Sequence, residues 1–230
     1  MKIEFYPSSK EVSLVVPPPK PAAFYTPAWY KKIEKFSEKD LDSDKPELAG
    51  PNVKSCVPFF DAMTAGYIQE TWQDIVVDYR NDNLSVMFPV TPKIMETRKR
   101  VSIPIGKEFY PTEFVWFIPW MPKVPDGWSL MFSHPHNAVH LPYQSTTGIM
   151  DSDVFYHIPF GNYPFFIKEG FRGIIPKGSP MFQITPIKRE EWKSEVKKWD
   201  ADEQLKREYK SRSTSFGGYR KFFHIKKEFK

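Results

Sequence analysis

Short apolar runs separated by Pro, Gly, Asn and Asp fill the middle of the chain, and a period near two predicts strands. Eight are expected: Tyr67–Thr71, Asp74–Tyr79, Leu84–Phe88, Phe114–Ile118, Trp128–Ser133, Phe165–Lys168, Gly173–Ile175 and Met181–Ile187. Asn81-Asp82-Asn83 reads as a hairpin turn between the second and third. Towards the N-terminus, Ile3, Phe5, Val12, Leu14 and Val16 alternate around Ser8-Ser9, which predicts an edge hairpin. Pro17-Pro18-Pro19-Lys20-Pro21 then favours polyproline II. Trp29, Ile33 and Phe36 stand at i, i+4 and i+7 behind Pro27, the spacing of a short helix. Residues 37–52 are polar and rich in Asp, so they read as a surface loop. Val57, Phe59, Phe60 and Met63 suggest a further helix ended by Gly66. Beyond Ile187 the period is helical again. Trp192, Val196 and Trp199 share a face, Asp200 with Glu203 resembles an N-cap box, and Leu205 and Tyr209 continue the helix to a break at Ser211–Gly218.

The expected class is mainly β with peripheral helices, a sandwich or barrel of antiparallel strands. Three segments are expected: a Pro-rich N-terminal arm and short helix over 1–52, a β domain over 53–187, and a basic helical segment over 188–230. Composition agrees. Twenty-three Pro in 230 residues exclude a helix bundle, and 17% aromatic residues exclude global disorder. The single Cys56 leaves no internal disulfide and no Cys-rich zinc site, and its apolar neighbours read as a buried small hydrophobe. No apolar stretch approaches membrane-spanning length and no secretory h-region opens the chain, so a soluble cytoplasmic protein with no membrane partner is expected. The net charge of +5 is uneven: residues 188–230 hold a balance of +6 and the remainder −1. Such a segment can meet nucleic-acid phosphates, although its mixed charge also suits a solvated helix.

Candidate chemistry gathers in one stretch. His134, His136, His140 and His157 lie within 24 positions, with Asp151 and Asp153 between the last two. Imidazoles and carboxylates are the ligands of open iron or zinc sites, and a His pair at i, i+2 in a strand would face one way. Gly127, His134-Pro135-His136, His140 and Gly148 resemble the first cupin motif, with His140 where that motif has an acid. The second cupin His is missing: Ser179-Pro180-Met181 follows Gly178. The bland alternative is a set of loop histidines with local hydrogen bonds, which Pro135 favours. Trp116, Trp120 and Trp128 alternate with Pro119, Pro122 and Pro125, as core packing or as a stacking groove. The sequence has no phosphate-cradling Gly loop, no Gly-x-Ser-x-Gly and no His-Glu-x-x-His.

Three further blocks resemble the dUTPase and dCTP-deaminase group: Pro125-Asp126-Gly127-Trp128-Ser129-Leu130-Met131, Gly148-Ile149-Met150-Asp151-Ser152-Asp153, and Ile175-Pro176-Lys177-Gly178-Ser179-Pro180-Met181-Phe182-Gln183-Ile184. They span roughly residues 123–187. The resemblance implies a jelly-roll or β-clip-like fold and a ligand site at Asp151, Asp153, Gly178, Gln183 and Trp128. The group's Arg-Ser phosphate motif is absent, since Ser133-His134-Pro135-His136 stands in its place. Over nearly the full length the chain also resembles a family of phage and bacterial proteins, DUF6065. The residues are Pro27-Ala28-Trp29-Tyr30-Lys31, the run Cys56 to Tyr67, Phe132-Ser133-His134-Pro135-His136-Asn137, Pro159-Phe160, Pro164-Phe165-Phe166 and the blocks at 148–153 and 175–180. That resemblance implies a phage-type or bacterial origin and no particular activity. The resulting expectation is a non-catalytic binding or assembly module with arms at both ends, partnered by another protein or its own copies, and needing no cofactor. The rivals are a cupin-like oxygenase holding one Fe or Zn on His134, His136 and His140, and a degenerate nucleotide-binding relative of dUTPase.

Overall fold

A computed structural model describes residues 1–35, 52–80, 83–89, 92–98, 102–157, 162–213 and 219–230. The chain forms two compact units. One comprises Met1–Tyr25, Met63–Arg189 and Phe229–Lys230, and the other Thr26–Ala62 with Glu190–Glu228. The division crosses the expected boundary at 52, because residues 1–25 fold with the strands. Most of loop 37–52, the tip of the 81–83 turn and most of the 211–218 break lie outside the described residues.

Among the described residues the first unit holds fourteen strands: β1 (Glu4–Pro7), β2 (Lys20–Pro21), β3 (Tyr67–Glu70), β4 (Ile75–Arg80), β5 (Asn83–Met87), β6 (Met95–Thr97), β7 (Phe114–Phe117), β8 (Trp120–Lys123), β9 (Trp128–Ser133), β10 (Tyr143–Ser145), β11 (Gly148–Met150), β12 (Asn162–Ile167), β13 (Gly173–Ile175) and β14 (Pro180–Lys188). Four antiparallel sheets result, ordered β1-β8, β10-β12-β7-β6, β11-β9-β14-β3-β2 and β13-β4-β5. None closes into a barrel among the described residues. The centre of the chain is legible because each run is bounded by a breaker: β9 and β13 occupy their expected spans, and β4 and β5 pair as the hairpin.

The inner faces of the two larger sheets share the core. Phe132 on β9 and Phe182 on β14 meet Tyr163 on β12 at centroid separations of 5.9 and 5.5 Å. Trp116 on β7 stacks on Phe165 of β12 at 3.6 Å, with the edge of Tyr143 on β10 against both. Phe114, Val115 and Trp116 are all buried, so β7 is covered on both faces and reads as a continuous apolar run.

The N-terminus corrects the hairpin expectation. Strand β1 pairs with β8, but residues Lys10–Val15 form helix α1. Ser9 caps it, its hydroxyl accepting from the Val12 N–H at 3.1 Å. A strand would bury Val12, Leu14 and Val16 together. Here Val12 and Val16, four apart, are 6% and 3% exposed while Leu14 is 76% exposed. The proline run ends in the sheet, with Lys20 opposite Ile68 and the Pro17 carbonyl accepting from the Gln69 amide.

In the second unit, α2 (Ala28–Lys32) starts after Pro27; α3 (Val57–Thr64) belongs to it through Ala62. Tyr30 stacks between Phe59 and Phe60 at 6.1 and 5.6 Å. Cys56 is exposed, correcting the buried reading. Helix α4 covers Ala201–Ser213, and a π-helical turn covers Tyr219–Phe223. After that turn His224 and Lys227 reach Asp61 at 3.0 and 2.6 Å. Burial would raise the Asp61 pKa, but the hydrogen bonds from Lys227 and His224 outweigh it and hold the carboxyl low.

Candidate functional site

Strand β9 stops at Ser133, so the two histidines that would have shared a strand face lie in the turn beyond it. Asn137 adopts a φ of 60°, and Ala138 N–H donates to the Pro135 carbonyl at 3.1 Å. His134 is half-buried and committed at both nitrogens. Its Nδ1 accepts from the Ser145 N–H at 3.3 Å and its Nε2 faces the Ala138 carbonyl at 3.2 Å, which sets the proton on Nε2. Burial lowers its pKa, so the ring is neutral at pH 7. His136 instead places Nε2 2.9 Å from Ser133 Oγ, and its backbone N–H donates to Gln183 Oε1 at 2.8 Å. His140 lies apart, in a cleft with Lys168, and burial with that lysine's charge lowers its pKa. The three imidazoles therefore serve separate local roles, and no group of three metal-ligating side chains converges among the described residues. The set His134, His136 and His140 of the cupin-like reading is not brought together among the described residues. The physical reason is that β9 ends at Ser133, before the Pro135 turn.

Gln183, buried in β14, ties this turn to the end of α3: its Nε2 donates to the Ala65 carbonyl at 2.6 Å while its Oε1 holds His136. The Asp block sits at the other end of the strand. Asp153 receives both guanidinium nitrogens of Arg189, one at 2.9 Å, plus the Gly127 N–H at 3.0 Å. Asp151 accepts from Ser129 Oγ at 2.6 Å and pairs with Arg189 at 3.2 Å. The Trp128 carbonyl takes a further Arg189 N–H at 3.1 Å. Trp128, Asp151 and Asp153 thus come together, on an arginine that sequence reasoning passed over. Arg189 opens a basic run, and nothing in its neighbours marks it out. Gly178, at a φ of +87°, turns the chain before the opposite end of β14, its N–H on the Thr71 carbonyl. Nine residues at about 3.3 Å each put roughly 30 Å between the ends of that strand, so Gly178 and the Asp pair do not form one pocket.

The fork of Arg189 holds the Asp153 carboxyl well below the usual range, at about 2. A carboxylate with a depressed folded pKa contributes stability that is fully present above its unfolded value near 3.9 and is lost as pH falls through the folded one. Acid titration of stability should therefore show a loss between about pH 4 and pH 2 that Asp153→Asn removes, with the variant already weaker at pH 7. Urea midpoints at pH 7 and pH 3 check this. Equal midpoint losses at the two values would contradict it. Glu113 adds to the same limb. Burial would raise its pKa, but bonds from Ser102 N–H and Oγ and from Arg98 at 2.8 Å hold it low.

Two features stand open. The first is the cleft of about 560 Å³ lined by His140, Leu141, Lys168, Phe171, Ile174 and Ile175 among others. The second is the segment between β14 and α4. Asp200 caps α4, its Oδ1 accepting from the N–H groups of Asp202 and Glu203 at 2.9 and 3.1 Å. Residues before a cap lie outside the helix. Trp192, Val196 and Trp199 are therefore on an irregular arm and not on a helix face, and they are 87%, 96% and 80% exposed. No helix among the described residues is long and apolar enough to cross a membrane.

No family model matches the chain, so the DUF6065 resemblance rests on the quoted residues alone. No curated protein matches it either. Among solved structures, the chain is similar to a mutant dUTPase from phage phi11 of S. aureus, at 12% identity over 87% of this chain and 97% of that one, with a TM-score of 0.36. A Staphylococcus bacteriophage 80alpha dUTPase mutant with dUpNHpp is similar at 12% identity over 86% and 88%, with a TM-score of 0.34. Likenesses this low carry no argument about ligand or activity.

Proposed function

We propose that this protein is a non-catalytic assembly module, a β unit whose aromatic arm docks on another protein molecule of its own kind. The carrying observation is the outward exposure of Trp192, Val196 and Trp199 on a segment without regular structure. Side chains this large and apolar are stabilised by leaving water, and a soluble surface that presents several together marks an interface. At about 150–250 Å² for each Trp, burying both removes roughly 400 Å² per copy. That is half of the ~800 Å² each partner contributes to a standard interface.

The rival chemistries are less well supported. A nucleotide site of the kind the Asp block resembles needs carboxylates free to meet a sugar, and Asp153 is saturated by Arg189 and Gly127. A metal oxygenase needs imidazoles with free nitrogens, and His134 has none. The test is sedimentation velocity over a range of concentrations. The wild-type chain is expected to shift to higher mass as concentration rises. The variant with Trp192, Val196 and Trp199 all changed to Ser is expected to stay monomeric. A wild-type chain that remains monomeric throughout overturns the proposal.

A further inference from the structure

Resting on the assembly reading, we infer that the arm of one copy adds as a strand to the free edge of β5 in a second copy, and that two copies exchange arms in this way. The arm has the pattern of a half-buried strand. Trp192, Ser194 and Val196 alternate with Lys193, Glu195 and Lys197, so an extended chain puts the apolar pair on one side and the charges on the other. The polar side is already arranged so: Glu195 and Lys197, two apart, pair at 2.5 Å. Side chains at that spacing do not face each other on a helix. No backbone hydrogen bond holds residues 191–199 among the described residues, so their N–H and C=O groups can enter a ladder.

Strand β5 offers the complementary edge. Among the described residues it pairs with β4 alone, and its alternate N–H and C=O groups point away from that partner. Exposed edges are normally kept short, charged or interrupted by Pro. Of the strands paired on one side only, β5 is the longest described, and Asn83-Leu84-Ser85-Val86-Met87 holds no charge and no Pro. An edge so unprotected is the mark of one that is covered in the assembled protein. It flanks a second, smaller cleft of about 410 Å³, lined by Leu84, Val86 and Phe88 on one side and by Met95 and Thr97 of β6 with Phe114 of β7 on the other. Strand β6 is also the outer strand of its sheet, so the cleft lies between two open edges. A strand laid there brings Trp192 and Val196 against those apolar side chains and leaves Lys193, Glu195 and Lys197 in water. Area sets the stoichiometry. The two Trp of an arm account for roughly 400 Å², half of the ~800 Å² that each partner gives to a standard interface. A copy that both gives and receives an arm reaches the full value. Reciprocal exchange closes on a two-fold axis and stops at a dimer.

Proline substitution separates strand addition from plain apolar contact. Successive residues of a strand turn their N–H groups alternately toward and away from a given neighbour, so one of Lys193 and Ser194 must donate to β5. Lys193→Pro and Ser194→Pro keep Trp192, Val196 and Trp199, and neither position lies in a helix or strand, so the fold is spared. One of the two should weaken dimerisation at least about tenfold in sedimentation velocity, through the lost donor. Amide hydrogen exchange on the wild-type chain, below and above the concentration at which it assembles, should show 83–88 and 192–197 becoming protected together. If wild type dimerises and neither Pro weakens it, strand addition is overturned and the assembly reading stands. If 83–88 exchanges as fast in the dimer as in the monomer, β5 is overturned as the receiving edge. Growth past two copies overturns the closed exchange. If wild type itself is monomeric, both readings fall.

Discussion

Changing Gly66 to Ala should cost on the order of 3 kcal/mol or more and lower the melting temperature by roughly 6–12 °C. Gly66 ends α3 at a φ of +70° and leads the chain into β3. An L side chain in the left-handed region costs about 1–2 kcal/mol on its own. The greater cost is steric. A Cβ at this position would stand 2.0 Å from the Ile184 carbonyl oxygen, which is backbone and has no rotamer to escape through. Ile184 lies in the middle of β14, opposite Tyr67 on one side and Phe132 on the other. Relief of the clash must therefore move a central strand, or strain the Ala22 N–H bond to the Gly66 carbonyl at 2.9 Å. Gly127 is the internal control. Its φ is +80°, but a Cβ there meets nothing within 4 Å, so Gly127→Ala should show the conformational cost alone. Thermal melts of the two variants side by side decide the matter. Equal losses would mean that the close approach of Gly66 to β14 does not exist in solution.

Gly66 was visible in the sequence as a helix stop, but its contact with β14 was not, since 118 positions separate it from Ile184 and spacing carries no information over that distance. The same division runs through the molecule. Strands β9 and β13 could be read because local punctuation and local burial agree there. Residues 10–15 misled because Val12, Leu14 and Val16 satisfy period two and also contain an i, i+4 pair. The capping hydroxyl of Ser9 decides between them, and in the alternation reading that Ser looked like a turn residue. At 192–199 a helical period occurs with no helix, and Asp200 explains why: a residue whose carboxylate holds the first free N–H groups marks the start of a helix. The candidate site followed suit. The clustering of His134, His136 and His140 was real in sequence, and the ring partners Ala138 and Ser133 are local, yet Ser145, Gln183 and the cleft lysine Lys168 come from other segments. Arg189 left no trace for the same reason. Its role exists only once β14 brings the end of one segment beside the turn of another.

Trp116→Ala should be the largest loss among single core truncations, about 3–5 kcal/mol, the range for emptying a buried aromatic site. Trp116 is fully buried, stacked on Phe165 with an interplanar angle of 6°, and met edge-on by Tyr143. These neighbours belong to β12 and β10, paired in succession on one side of β7, so they cannot collapse inward without breaking ladder bonds, and the cavity persists. A polar consequence adds to it. The indole N–H donates to Ser145 Oγ at 3.0 Å, and that hydroxyl donates to the Met181 carbonyl at 2.7 Å. Ser145 also supplies the N–H that fixes the tautomer of His134. Trp116→Phe keeps most of the ring and removes only the N–H, so it should cost about 1–2 kcal/mol, the scale of one buried hydrogen bond plus a small void. Urea unfolding of both variants, followed by near-ultraviolet circular dichroism, separates the two contributions. A Phe variant as weak as the Ala variant would assign the stability to the Ser145 network and not to stacking. An Ala variant that loses less than about 2 kcal/mol would mean the two sheets can close the gap, and that the core around His134 is looser than its hydrogen bonds imply.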